Sequence, residues 1–191
     1  MYKNNSRDCS KFKGFSPFQL SYNLTGNYHA ICHYSYNLPL KQEYKMQIEK
    51  LNSKNYKGII TVWNKAIRAT HNFLSEDDIQ ILERKTLIEL FESVSIYGIR
   101  VNNKELAEFV GINENIIEML FVSPDFTKKG IGSFLLNFAI TENGAHKLEV
   151  YEHNKNAIRL YEKSGFIKAS REDCDPLINK PYSILKMIRK K

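Results

Sequence analysis

Residues 128–133 read KKGIGS, between an apolar run that ends at Val122 and a helical stripe that begins at Ile131. A strand followed by a glycine turn and a helix start is an arrangement that can hold an anion. Backbone N–H groups at a helix start lack intrahelical partners, and the helix dipole adds positive potential there. Gly130 and Gly132 remove side chains that would keep a phosphate off the main chain, while Lys128 and Lys129 add mobile positive charge. Ile131 completes the backbone of the turn, and Ser133 offers a helix-start hydroxyl. No histidine follows Ser133 in a triad-like setting, so a nucleophilic role is not indicated. The turn is not a P-loop, because the Gly-Lys-Ser/Thr ending and longer spacing are absent.

Other side chains stand out by context. Glu118 lies in IIEML, a carboxylate inside an apolar run, and must face either solvent or a cleft. His71, in RATH, carries an imidazole that titrates near neutrality and is a candidate base, against an ordinary structural use. Arg68 beside it could hold an acidic group. His29, Cys32 and His33 lie close together, but no carboxylate completes a metal set nearby, so no metal is expected.

A second segment, EVYEHNKNAIRLYEKSGF, follows the glycine turn. It sets Asn154, Ala157, Tyr161, Gly165 and Phe166 in the pattern N-x-x-A-x-x-x-Y-x-x-x-G-F. Together the two segments closely resemble the GCN5-related N-acetyltransferase superfamily, over nearly all the chain beyond residue 45. The superfamily turn reads Q/R-x-x-G-x-G/A. This chain departs from it at Thr127, which can donate one hydroxyl hydrogen bond and carries no charge; Lys128 and Lys129 would compensate.

The resemblance implies the acyl-CoA N-acyltransferase fold and acetyl-CoA as co-substrate. The glycine turn would hold the pyrophosphate. Backbone groups of Leu120, Phe121 and Val122 would grip the pantetheine arm. Asn154 would either bond the pantetheine or cap the next helix. Tyr161 would protonate the departing thiolate, since a phenol stays protonated at neutral pH. The acid on the strand of Glu118 and the loop after the first helix would place Glu118, His71 and Arg68 at the acceptor. The implied reaction is direct attack of an amine on the thioester, with a small-molecule or peptide acceptor. A non-catalytic coenzyme A sensor of the same fold is the alternative.

The elements that must position these residues can be read from spacing. Residues 46–51 alternate as a strand, and 56–70 carry a helical apolar stripe. Ser75 with three following acids caps a second helix to about residue 91, with a break expected near Glu83. Strands follow at 94–101, 105–112 and 116–122, the first two joined by a polar hairpin turn at 102–104. Then come a helix at 131–141, a strand at 147–151, a helix at 156–164, and strands at 166–170 and 182–187. The class is α/β, with a mixed, mostly antiparallel central sheet, flanking helices and a parallel β-α-β crossover.

Residues 1–45 show no sustained period and read as an irregular N-terminal extension, leaving 46–191 as the domain. The net charge is +7. Six Lys and Arg against two Asp and Glu put +4 of it in residues 1–45, so the surplus does not define a nucleic-acid-binding domain. A nucleic-acid-binding protein built on that extension is the remote competitor. No apolar run is long enough to cross a bilayer, and no apolar leader is present. Three scattered cysteines suit a reducing compartment, so the cytoplasm is expected. Homodimerisation is left open.

Overall fold

The computed structural model describes residues 18–22, 28–32, 44–101, 105–127 and 131–190. The chain begins with three strands: β1 (Phe18–Tyr22), β2 (Tyr28–Cys32) and β3 (Tyr44–Lys50). Helices α1 (Tyr56–Thr70) and α2 (Glu76–Ser93) follow, then strands β4 (Ser95–Val101), β5 (Glu105–Asn113) and β6 (Ile116–Val122). The remainder is α3 (Ile131–Asn143), β7 (Lys147–Tyr151), α4 (Lys155–Lys163), β8 (Phe166–Glu172) and β9 (Ile184–Arg189). The strands form one sheet in the order β1-β2-β3-β4-β5-β6-β7-β9-β8. Every pairing is antiparallel except β6 with β7.

Two of these strands lie in the segment expected to be irregular. β1 and β2 form a hairpin that pairs onto β3 and lengthens the sheet at one edge. The turn at 102–104 lies outside the described residues.

Helix α1 forms because Ile59, Val62, Trp63, Ala66 and Ile67 fall on one stripe, and all five are buried. Helix α2 starts where Ser75 Oγ accepts from the Asp78 N–H at 3.2 Å, with Glu76, Asp77 and Asp78 in the first turn. No break occurs at Glu83. Its carboxylate instead accepts from Asn64 Nδ2 at 3.1 Å, fastening α2 to α1. Gly144 follows α3 at φ +67° and Gly165 follows α4 at φ +89°, left-handed positions that end both helices.

The sheet is covered on both faces. Ile59, Trp63, Phe109 and Met119 belong to the core under α1. Val110, Leu135, Leu148 and Tyr161 belong to the core under α3 and α4. Phe109 and Val110 are neighbours in sequence yet enter opposite cores, which is why β5 is an almost continuously buried run. No described helix is long and apolar enough to cross a membrane.

Candidate active site

The sheet opens between β6 and β7. Their parallel pairing consists of Ile116 with Lys147 and Ile117 with Leu148, and the strands are unpaired beyond that point. A bulge lies at the start of the opening. Gly111 opposes Met119 and Ile112 opposes Ile117, so Glu118 is an extra residue in β6. The Ser123 N–H donates to the Ala107 carbonyl of β5 at 2.8 Å. Strand alternation then turns the Phe121 backbone toward β5 and leaves the Leu120 and Val122 backbone groups facing the gap. Of Leu120, Phe121 and Val122, the three expected to grip an extended ligand, the first and last turn their backbone groups to the gap. Phe121 spends its side chain on Trp63 and Phe109, at ring separations of 6.1 and 5.7 Å.

Helix α3 begins at the end of this gap with no acidic residue in its first turn. Lys128, Lys129 and Gly130 lie outside the described residues. Gly132 and Ser133 are half-buried. A Cβ on Gly132 would point inward, 3.4 Å from Val122 Cγ2, 3.6 Å from Glu108 Oε1 and 3.8 Å from Leu160 Cδ2. Those are ordinary contact distances, so the inward side of Gly132 faces the core between β6, β5 and α4. Thr127 donates its hydroxyl to the Pro124 carbonyl at 3.0 Å, closing the turn after β6.

Tyr161 is buried on α4, its ring 6.0 Å from Phe166. Burial, and then the nearby Glu108 carboxylate, push its hydroxyl above the usual phenol range. Asn154 Oδ1 accepts from the Ala157 N–H at 3.2 Å, so its side chain caps α4. Glu118 is exposed; partial burial, and then Glu149 across the opening, raise its carboxyl.

The elbow between α1 and α2 brings His71 to the same opening. Its ring lies 5.5 Å from Tyr151 at the end of β7 and 6.5 Å from Phe121 near the end of β6. Burial lowers its pKa to about 4, so the imidazole is neutral at physiological pH. Its tautomer follows from Thr70, whose hydroxyl donates to the Ala66 carbonyl at 2.8 Å. The same oxygen lies 2.8 Å from His71 Nδ1 and has no second hydrogen to give. Nδ1 therefore carries the proton, and Nε2 keeps its lone pair. Arg68 points elsewhere. Its guanidinium engages Glu76 at 2.5 Å and also Asn64, and it is not gathered with His71. His33 lies outside the described residues, as do the side chains of His29 and Cys32.

Sequence reasoning missed several residues here. Phe73 and Tyr151 pack against His71, and Tyr182 packs on both of them. Tyr182 donates to Asp78 at 2.7 Å and Tyr151 donates to Asp175, which fixes both rings. Glu108 was also missed, although a carboxylate inside ELAEFVGIN is the signal that drew attention to Glu118.

A mixed sheet that splays at its one parallel pair, with a bulge at the splay and a glycine-started helix behind it, defines an acyl-CoA N-acyltransferase fold. An acetyltransferase (GNAT) domain model matches residues 92–168. Peptidyl-lysine N-acetyltransferase YjaB of Salmonella typhimurium is 29% identical over 145 residues, covering 75% of this chain and 99% of the relative. Its namesake in Escherichia coli is 28% identical, covering 74% and 97%. The solution structure of apo YjaB from Escherichia coli superposes with a TM-score of 0.67 at 23% identity, covering 75% and 96%. The PaiA N-acetyltransferase of Thermoplasma acidophilum, solved with coenzyme A, gives 0.60 at 22%, covering 76% and 99%. The domain match, the relatives and the fold together support membership of the GCN5-related N-acetyltransferase superfamily.

Proposed function

We propose that the protein transfers the acetyl group of acetyl-CoA to a primary amine of the lysine type, presented on a peptide or a small molecule. The observation that carries this reading is the opening between β6 and β7, where Leu120 and Val122 offer unpaired backbone groups beside the start of α3. An extended amide-bearing arm can add to β6 as a further strand would, with its phosphates at the helix N-terminus. The 128–133 turn, with Lys128 and Lys129, is the assigned phosphate cradle. The catalytic unit is residues 46–191, with residues 1–45 an extension. The named relatives are peptidyl-lysine acetyltransferases, which favours a lysine ammonium as the acceptor.

The chemistry needs a neutral amine, a polarised carbonyl and a proton for the departing sulfur. His71, whose neutral ring lies between the ends of β6 and β7, is the assigned base; Glu118 is the second candidate, through water. Tyr161 is the assigned proton donor. Asn154 caps α4 and so holds Tyr161 in place. Free-thiol release from acetyl-CoA with a lysine-containing peptide tests the reading. Turnover that depends on the peptide is expected. Coenzyme A binding without turnover across an amine panel would make the protein a sensor instead, and salt-sensitive DNA binding lost on removing residues 1–45 would favour the nucleic-acid reading.

A further inference from the structure

The wall beside His71 carries chemistry that the roles assigned above leave unused. Phe73 on the elbow between α1 and α2, Phe121 near the end of β6, Tyr151 at the end of β7 and Tyr182 just before β9 are all half-buried. Rings that only fill the core are closed off: Phe109, Phe134, Phe138 and Phe166 are buried. Phe73, Tyr151 and Tyr182 meet edge to face, with ring centroids 5.4, 5.8 and 6.3 Å apart and planes inclined by 71°, 61° and 84°. Rings set at such steep angles turn their faces in different directions, and the face is the negative part of an aromatic quadrupole. The exposed ring of His153 stacks on Phe73 at 4.8 Å and extends the patch.

Two buried aspartates, Asp78 and Asp175, fix the polarity of the phenols. Tyr182 donates to Asp78 Oδ2 at 2.7 Å, and Tyr151 donates to Asp175 Oδ2. A phenol has one hydrogen to give, and here it is committed, so each phenol oxygen offers an incoming group only lone pairs. Both aspartates are otherwise satisfied. Asp78 also accepts from the Ser75 hydroxyl at 2.7 Å and pairs with the exposed Lys180 at 3.6 Å. Asp175 accepts from the backbone N–H groups of Leu177 and Ile178. Among the described residues, two carboxylates thus stand against the Lys180 ammonium, and His71 is neutral, so the wall keeps negative character. A carboxylate arriving there would meet acceptors and like charge. A primary ammonium has three donors, no acceptor and a positive charge, and is attracted to ring faces as well as to lone pairs.

We propose that Tyr151 and Tyr182 select the acceptor, holding its ammonium group by their phenol oxygens while its apolar stem lies on the ring of Phe73. This names the acceptor-binding residues of the acetyl-transfer reading and rests on that reading. The placement fits it. Phe121 and Tyr151 lie near the ends of the two strands that part at the opening, and the His71 ring is 5.5 Å from Tyr151. An amine gathered at the phenols therefore stands beside the assigned base. A long, unbranched, cationic side chain is favoured over an acidic or an uncharged one. Recognition acts on the ammonium before the reaction starts, so it is read in KM for the amine.

Tyr182→Phe and Tyr151→Phe keep the rings and remove the oxygens. Asp78 retains Ser75 and Lys180, and Asp175 retains its backbone donors, so neither carboxylate is stranded. Thiol release would be followed with acetyl-CoA and a lysine-containing peptide. Each variant should raise KM for the peptide by about tenfold, the loss of one hydrogen bond to a charged group, with KM for acetyl-CoA unchanged. An unchanged peptide KM in both variants overturns the assignment. A matching rise in KM for acetyl-CoA also overturns it, because that marks a general distortion. A second measurement needs no turnover. NMR titration of the full chain with coenzyme A present would compare Nα-acetyl-lysine amide with Nα-acetyl-norleucine amide, whose side chain has the same stem and no nitrogen. Binding of the lysine compound should be about tenfold tighter, with the difference narrowed in Y182F. Equal binding of the two, or no binding of the lysine compound, overturns the proposal. Selective lysine binding by a protein that releases no thiol supports the ammonium site and counts against acetyl transfer alone, so the two readings fail separately.

Discussion

Two buried titratable side chains pull the protein's pH response in opposite directions. His71 titrates near 4 in the fold and near 6.5 when unfolded, so the unfolded chain binds the extra proton between those values. Its contribution is present above about pH 6.5 and lost as pH falls toward 4, amounting to about 3 kcal/mol for a shift of this size. Urea unfolding at about pH 7 and about pH 4.5 should show that loss in wild type and not in His71→Gln. Glu108 has a raised folded pKa, so its favourable neutral state is complete below the ordinary carboxylate value and is lost as pH rises through the folded value. Glu108→Gln should therefore flatten the alkaline side of the same stability curve. In catalysis, a base that titrates near 4 predicts no limb near 6.5 in the kcat profile. His71→Gln should lower kcat by about 10²-fold; a clear midpoint near 6.5 in the wild-type rate would assign the base elsewhere.

At the scale of elements, Asn154 separates two uses of one residue. As the cap of α4 it contributes about 1 kcal/mol, and Asn154→Asp should keep most of it while Asn154→Ala loses it. If capping is its whole role, neither variant changes KM for acetyl-CoA beyond what thermal destabilisation explains; a selective rise in KM for both would show that it touches the pantetheine. Helix α1 carries the elbow that holds His71, and Trp63 anchors it with 1% of its surface exposed. Trp63→Ala should cost about 3–5 kcal/mol in urea unfolding. These helices were legible in the sequence because their stripes, caps and glycine stops are local signals. The bulges at Glu118 and at Ala107, the residue left over where Ile99 opposes Glu108 and Arg100 opposes Leu106, were not. Each comes from a mismatch between two strands, and neither strand alone records it. Glu108 shows the consequence: its sequence context announced a buried carboxylate, but the bulge decided which core it entered. His71 was legible as a candidate, whereas its tautomer depends on the Thr70 hydroxyl bonding back to Ala66.

At the scale of the whole molecule, the active opening lies near one end of a nine-strand order and the N-terminal hairpin at the other. Three strands, β3, β4 and β5, separate β2 from β6, and that hairpin was invisible in the sequence because residues 1–45 show no alternation. Its strands gain their order by pairing onto β3, a long-range contact that local pattern does not encode. The arrangement predicts that function and edge protection can be separated. A chain starting at Met46 should retain the splay, α3 and α4, and so keep wild-type kcat and KM in the thiol-release assay. It should also expose the β3 edge, an unpaired row of backbone groups that templates association. Light scattering should accordingly rise with concentration for the shortened chain more steeply than for the full one. If the shortened chain instead folds, stays dispersed and loses turnover, the first 45 residues belong to the acceptor site, and the division at residue 46 does not hold in function.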